Sequence, residues 1–182
     1  MVLEEVQGLY RIIDLKVLRR TPKVWFDVLD VSQLSPIAAI DRVLHGPGAI
    51  SPGRVGPVER PWYMHPSQED NLMVLHGTRY VEIYTPEHGR IEAFTVTPNR
   101  VSMENGKTFD GAVMLVWPRR VFHRIASCPT EGSASVNLAA HFEGFDIRTN
   151  FNIYDLDTAT GQYRVIREGH LDQPGAEPVA PL

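Results

Sequence analysis

The sequence contains a single cysteine, Cys128, in 182 residues. One thiol excludes an intrachain disulfide and any cysteine-built zinc site, and it fits a reducing, cytoplasmic setting. A metal in this chain must therefore be held by histidines and carboxylates. The sequence also lacks a long apolar run: no stretch approaches the ~18 residues a membrane helix needs. Met1 to Gly8 carries Glu4 and Glu5 and lacks the basic-then-apolar order of a secretory signal, so no membrane partner is expected. Nor is there a block of basic charge. The formal net charge is −4 with Lys and Arg scattered, which leaves no stripe to neutralise phosphates and argues against a nucleic-acid partner. Helical periodicity is scarce as well. Only Val2 to Arg19, with Leu9, Ile12, Ile13 and Leu15, admits a helix, and it fits an opening strand equally.

What is present is punctuation. Fourteen glycines and fourteen prolines separate short apolar runs at fairly regular intervals, the pattern of an all-β chain. The expected strands are Val24 to Val31, Ile37 to Leu44, Trp62 to His65, Leu72 to Tyr84, Arg90 to Thr97, Ala112 to Trp117, Val121 to Ala126, Ser135 to Phe142 and Asn150 to Leu156. That many short strands predict a barrel or sandwich. Length and an ordinary 43% apolar content predict one domain over residues 1–171. Pro174, Pro178 and Pro181 mark residues 172–182 as an expected flexible tail. Gly46 to Pro61, with four prolines and four glycines, reads as a long loop of the kind that often carries function.

The chemistry concentrates in two segments. In Tyr63-Met64-His65-Pro66-Ser67-Gln68-Glu69-Asp70, Tyr63 and His65 share a strand face. A hairpin turn at Pro66 and Ser67 then returns a carboxylate beside them. Glu69 and Asp70 must point to opposite faces, and parity with Leu72 and Val74 leaves open which one enters the barrel. His76 shares the parity of Asp70. In the second segment an apolar strand ends at Trp117-Pro118, turns through Arg119 and Arg120, and restarts so that Val121, His123 and Ile125 share a face, able to meet His65 across a barrel. His141 lies on the face of Asn137 and Ala139 and offers a further polar group. His45, His88 and His170 read as solvated. Trp62, Trp117, Tyr80 and Phe122 read as core or dimer packing.

These two segments resemble the paired motifs of the cupin superfamily. His65, four intervening residues, Asp70, six more and Gly77 reproduce the spacing of the first motif, with Tyr63 in place of its first histidine and Asp70 in place of its glutamate. Gly111, Pro118 and His123 match the second motif, with Gly111 one residue further from Pro118, Arg120 in place of glycine and Ser127 in place of the final asparagine. The resemblance covers roughly residues 55 to 145 and implies a double-stranded β-helix, or jelly-roll barrel, with a short N-terminal extension. It also implies a divalent transition metal held by His65, Asp70 and His123, with Tyr63 at the place of the fourth member. Two imidazoles and a carboxylate suit Fe, Zn or Mn.

Three functions follow as expectations. The first is a metal-dependent enzyme, a dioxygenase or isomerase acting on a small oxygen-rich acid or sugar, with Tyr63 as proton donor. The second is metal-free acid/base chemistry similar to that of the sugar-nucleotide 3,5-epimerases, whose layout is echoed by Arg60, Gln68, Trp117-Pro118 and His123, with His65 as base and Tyr63 as acid. The third is a non-enzymatic metabolite-binding barrel. Arg60, Tyr80, Arg120 and His141 are the expected substrate contacts. A homodimer is expected from the resemblance and from the apolar edges carrying Val24, Trp25, Phe26 and Ile37.

Overall fold

The computed structural model describes residues 1–174. Its strands are β1 (Val2–Val6), β2 (Tyr10–Asp14), β3 (Lys16–Thr21), β4 (Val24–Val28), β5 (Ala39–His45), β6 (Ile50–Ser51), β7 (Trp62–Met64), β8 (Gln68–Gly77), β9 (Arg79–Tyr84), β10 (Glu92–Thr97), β11 (Arg100–Met103), β12 (Thr108–Asp110), β13 (Val113–Trp117), β14 (Phe122–Ser127), β15 (Ser133–His141), β16 (Ile153–Leu156) and β17 (Tyr163–Arg167), with one short helix, α1 (Ile147–Asn150), between β15 and β16. One sheet has the order β1-β2-β13-β8-β15-β5, and the other β12-β11-β10-β9-β14-β7-β16-β17 with β6 added to β14. The pairings are antiparallel. The sheets face each other as a jelly-roll barrel.

Period-2 alternation builds the interior. Leu72, Val74 and Leu115 from the first sheet meet Val81, Ile83, Phe94, Val96 and Val101 from the second in one buried cluster. Each fully buried aliphatic contributes about 1.5–3 kcal/mol relative to an exposed one. Both faces of β8 and β13 are apolar because both are covered: Met114, Val116 and Met73 point outward under Ile13, Leu29 and Leu34. A third cluster, Trp62, Met64, Tyr84, Phe122 and Tyr154, packs on the second sheet.

Val2 to Arg19, left open between helix and strand, forms β1, β2 and β3. Several expectations are corrected. Leu72 to Tyr84 is two strands in different sheets. Gly77 breaks it at φ 69°, in a spot where a Cβ would stand 2.1 Å from the Gly132 carbonyl oxygen, so only glycine lets the chain cross. β7 and β8 also belong to different sheets, so the turn at Pro66 is a barrel corner and no hairpin forms there. Asn150 ends α1, and its strand begins at Ile153. β6 interrupts the long loop, and β11, β12 and β17 have too little apolar alternation to stand out. The edge-strand segment around Val24 is a separate hairpin, β3–β4, lying outside both large sheets. Of the expected tail, residues 175–182 lie outside the described residues. Its start is tied down, with Asp172 bound to Arg167 at 2.6 Å and Gln173 donating to the Ile147 carbonyl at 2.6 Å. Among the described residues, no helix is long and apolar enough to cross a membrane.

Candidate functional site

At one barrel mouth β7, β8 and β14 converge. β14 pairs with β7 so that His123 stands opposite Tyr63, and the corner after β7 brings His65 to the same level. The His65 and His123 ring centroids are 4.7 Å apart, and Tyr63 lies 6.4 Å and 5.9 Å from them. Ligand atoms of His65, Asp70 and His123 all lie within 4.8 Å of one another, and all three residues are buried.

The hydrogen bonds decide what these groups present. His65 Nδ1 lies 2.5 Å from the Asn150 carbonyl oxygen and His123 Nδ1 lies 3.2 Å from that of Val121. A carbonyl only accepts, so the proton of each ring sits on Nδ1 and the Nε2 lone pair faces the site. Burial, then the neighbouring His65, pulls the His123 pKa down to about 4, which keeps it neutral. Asp70 Oδ1 accepts from Gln68 Nε2 and Asn137 Nδ2, each at 2.7 Å. Asn150 donates in turn to the Gln68 side chain at 2.9 Å. Asp70 Oδ2 is left buried with no hydrogen bond among the described residues, 3.3 Å from His65 Nε2. Two free imidazole lone pairs and an orphaned carboxylate oxygen, each oriented by a second partner, are the donor set and outer support that a divalent transition metal uses. The residues fit such an ion.

The cavity above them holds about 280 Å³ and is lined by Asp41, Val43, His45, Ser51, Tyr63, Leu72, Arg79, Trp117, Ile125, Asn137 and Phe151 in addition to the triad and Gln68. Phe151 meets His65 edge-on at 4.9 Å and Trp117 covers His123 at 5.2 Å. The Trp117 indole N–H is buried without an acceptor among the described residues. Burial holds the Tyr63 phenol above its ordinary value, so it keeps its proton.

Glu69 turns away from the cavity toward Arg11, at 3.4 Å, and Asp70 turns in. The expected substrate contacts Arg60, Tyr80, Arg120 and His141 lie outside this cavity. Val81 and Ile83 take the interior of β9, which sends Tyr80 outward at 43% exposure. Arg60 lies beside it on the outer surface, its Nη2 3.3 Å from Glu82, which also binds Arg124 at 2.6 Å. Arg120 is exposed at the turn, where it adopts φ 66° in place of the motif glycine and gives only its backbone N–H, at 2.7 Å, to the His65 carbonyl. His141 stacks on Phe145 with centroids 3.5 Å apart and stays outside the cavity. His76 is exposed because Leu75 is an extra residue in β8, between the pairs Val74–Ser135 and His76–Ala134, and the bulge reverses its parity.

Sequence reasoning placed His45 in solvent and Trp117 in packing, yet both line the cavity. It missed Arg79 and Asp41 altogether. Arg79 shares the parity of Val81 and Ile83, which is the signal that would have found it.

No family model matches the sequence, and no curated protein matches it. Solved structures do. A dTDP sugar isomerase from Desulfovibrio desulfuricans is 18% identical with a TM-score of 0.56, over 76% of this chain and 82% of the other. QdtA, a sugar 3,4-ketoisomerase from Thermoanaerobacterium thermosaccharolyticum in complex with TDP, is 13% identical with a TM-score of 0.54, over 78% and 85%. The WlaRB TDP-quinovose 3,4-ketoisomerase from Campylobacter jejuni is 12% identical with a TM-score of 0.55, over 78% and 89%. At these identities the likeness is one of fold.

Proposed function

We propose that this chain, which has the cupin fold, is an isomerase of a small hydroxylated carbonyl compound of the sugar class, working with a divalent transition metal (Fe, Zn or Mn) held by His65, Asp70 and His123. The observation that carries the metal site is the orphaned Asp70 Oδ2 facing two Nε2 atoms whose ring protons are committed elsewhere. The isomerase reading draws its support from the sugar ketoisomerases that share the fold.

Bound there, a divalent ion supplies Lewis-acid polarisation of a substrate oxygen. The chain supplies the rest. Tyr63, whose ring stands 6.4 Å and 5.9 Å from those of His65 and His123, keeps its phenolic proton and donates it to the substrate oxygen that gains negative charge. Asp41, a carboxylate on the cavity wall outside the triad, accepts the proton from carbon. Trp117 offers its unpaired N–H to a substrate hydroxyl, and Phe151 and Trp117 keep water from the reacting atoms.

A second reading is metal-free. With His65 protonated, the 3.3 Å approach of Nε2 to Asp70 Oδ2 is an ion pair, and the imidazolium becomes an acid with His123 as base. Incubation with small aldoses, ketoses and sugar acids in D₂O separates the readings. The metal reading expects deuterium incorporation that stops on chelation and returns with added metal. Exchange indifferent to chelation favours the metal-free site, and absence of exchange across the panel contradicts both.

The chain is also proposed to form a homodimer through the β3–β4 hairpin. Val17, Leu18, Val24, Trp25 and Phe26 on it are 51–71% exposed, a patch that a second copy of this chain would bury.

A further inference from the structure

We propose that Arg79 forms an anion subsite in the same cavity, and that the compound taken there is a small monocarboxylate, a hydroxy or oxo acid no larger than a single sugar acid, in preference to a nucleoside diphosphate sugar. The inference rests on reading the cavity as a substrate site and does not depend on the metal or on the reaction.

Arg79 is only 2% exposed, yet among the described residues no carboxylate pairs with it. Nε donates to Ser133 Oγ at 3.0 Å and Nη2 to the Val43 carbonyl at 3.3 Å, both neutral acceptors. Nη1 has no acceptor among the described residues, and the side chain lines the cavity. A guanidinium keeps its charge here, since burial lowers its pKa only to about 10. A buried, charged, incompletely paired arginine is costly, and an arriving anion removes that cost with a charge-assisted bond. The other anionic groups of the cavity are engaged: Asp41 accepts from Asn137 Nδ2 at 3.1 Å, and Asp70 belongs to the triad. His45 beside Arg79 is pulled down to about 4 by burial and by Arg79 itself, so it adds no competing charge.

The register places this subsite. Arg79 pairs with Ser127, while His123 pairs with Ile83. The two side chains therefore enter the cavity four residues apart along β14, about 13 Å at ~3.3 Å per residue. One compound held by its carboxylate at Arg79 would extend its carbon chain toward Tyr63 and His123. Size and charge favour a small acid. The cavity of about 280 Å³ is roughly nine waters' worth at ~30 Å³ each, room for one sugar acid. Among the described residues Arg79 is the one Lys or Arg on its wall, matching one negative charge and not a diphosphate.

The test is thermal shift and calorimetry on the full chain with pyruvate, gluconate and glucuronate, their uncharged amides, and thymidine diphosphate, each with and without EDTA. At least one acid is expected to stabilise the wild type, with its amide binding at least ten-fold more weakly and thymidine diphosphate weaker still. Arg79→Met, which replaces the buried charge with an unbranched apolar chain, is expected to fold and to lose acid binding at least ten-fold. Arg79→Lys is expected to fall between. If Arg79→Met fails to fold, the acid, amide and diphosphate comparison on the wild type still decides. Acid binding that depends on Arg79 in protein without isomerase activity upholds the subsite while removing the proposed reaction. Equal binding of acid and amide, no binding of any acid, undiminished binding by Arg79→Met, or preference for thymidine diphosphate overturns the subsite.

Discussion

Asp70 Oδ2 stands 3.3 Å from His65 Nε2, yet it makes no hydrogen bond in a site where both residues are at most 4% exposed. Its partner oxygen is the opposite case, held by two amides at 2.7 Å. The carboxylate is thus anchored through one oxygen and presented through the other. Under the proposed reading this free oxygen and the flanking imidazole lone pairs are the ligands of a cation.

The anchoring is testable without touching the triad. Asn137→Leu removes one of the two amides on Asp70 Oδ1 at similar volume. It is expected to weaken metal binding about 10–100-fold, the usual effect of losing an outer hydrogen bond to a ligand. Competitive titration with a chromophoric chelator measures it. Unchanged affinity would mean that Asn137 does not orient Asp70 toward a metal.

Tyr63→Phe keeps the aromatic wall and deletes one hydroxyl. If Tyr63 delivers the proton, kcat for the isomerised compound falls about 100-fold or more with KM nearly unchanged. A change confined to KM would reduce Tyr63 to a wall residue.

Acid sensitivity should trace in part to His45. An unfolded histidine titrates near 6.5 and folded His45 at about 4, so between these values the unfolded chain binds the extra proton. Its contribution is therefore complete above pH 6.5 and is lost as pH falls toward 4. Urea denaturation at pH 7 and pH 5 should show a smaller acid loss for His45→Gln than for the wild type. Equal losses would contradict the buried neutral imidazole.

The β3–β4 hairpin gives a prediction on assembly. Trp25 is 71% exposed and Phe26 51%, so the wild type should sediment as a dimer at micromolar concentration, and Trp25→Glu as a monomer with its β-sheet circular dichroism intact. A monomeric wild type, or a dimer indifferent to the substitution, removes the hairpin as the interface.

The parts of the site that could be read from sequence are those tied to a turn of fixed length. His65, Asp70 and His123 flank the Pro66 and Pro118 corners, where spacing constrains which side chains meet. What failed did so where strand parity is reset. The break at Gly77 separates β8 from β9, and reading through it concealed Arg79. The extra residue Leu75 turned His76 outward. Tyr80 was assigned to the substrate because its strand had no fixed inner face until Val81 and Ile83 were seen packed against Phe94 and Val96, and Arg60, in the loop before β7, came from the epimerase resemblance. His45 was left out because the expected strand Ile37 to Leu44 stopped one residue short of the end of β5. The second sheet's strands β11, β12 and β17 escaped because their apolar alternation is weak.

The central claim is that His65, Asp70 and His123 form a metal site. Elemental analysis of full-length protein purified without added metal or histidine tag, compared with His123→Ala, tests it most directly. The account predicts close to one divalent transition metal per chain in the wild type, lost in the variant while thermal unfolding remains cooperative. A folded wild type that is metal-free and takes up none on titration with Fe(II), Zn(II) or Mn(II) would contradict it.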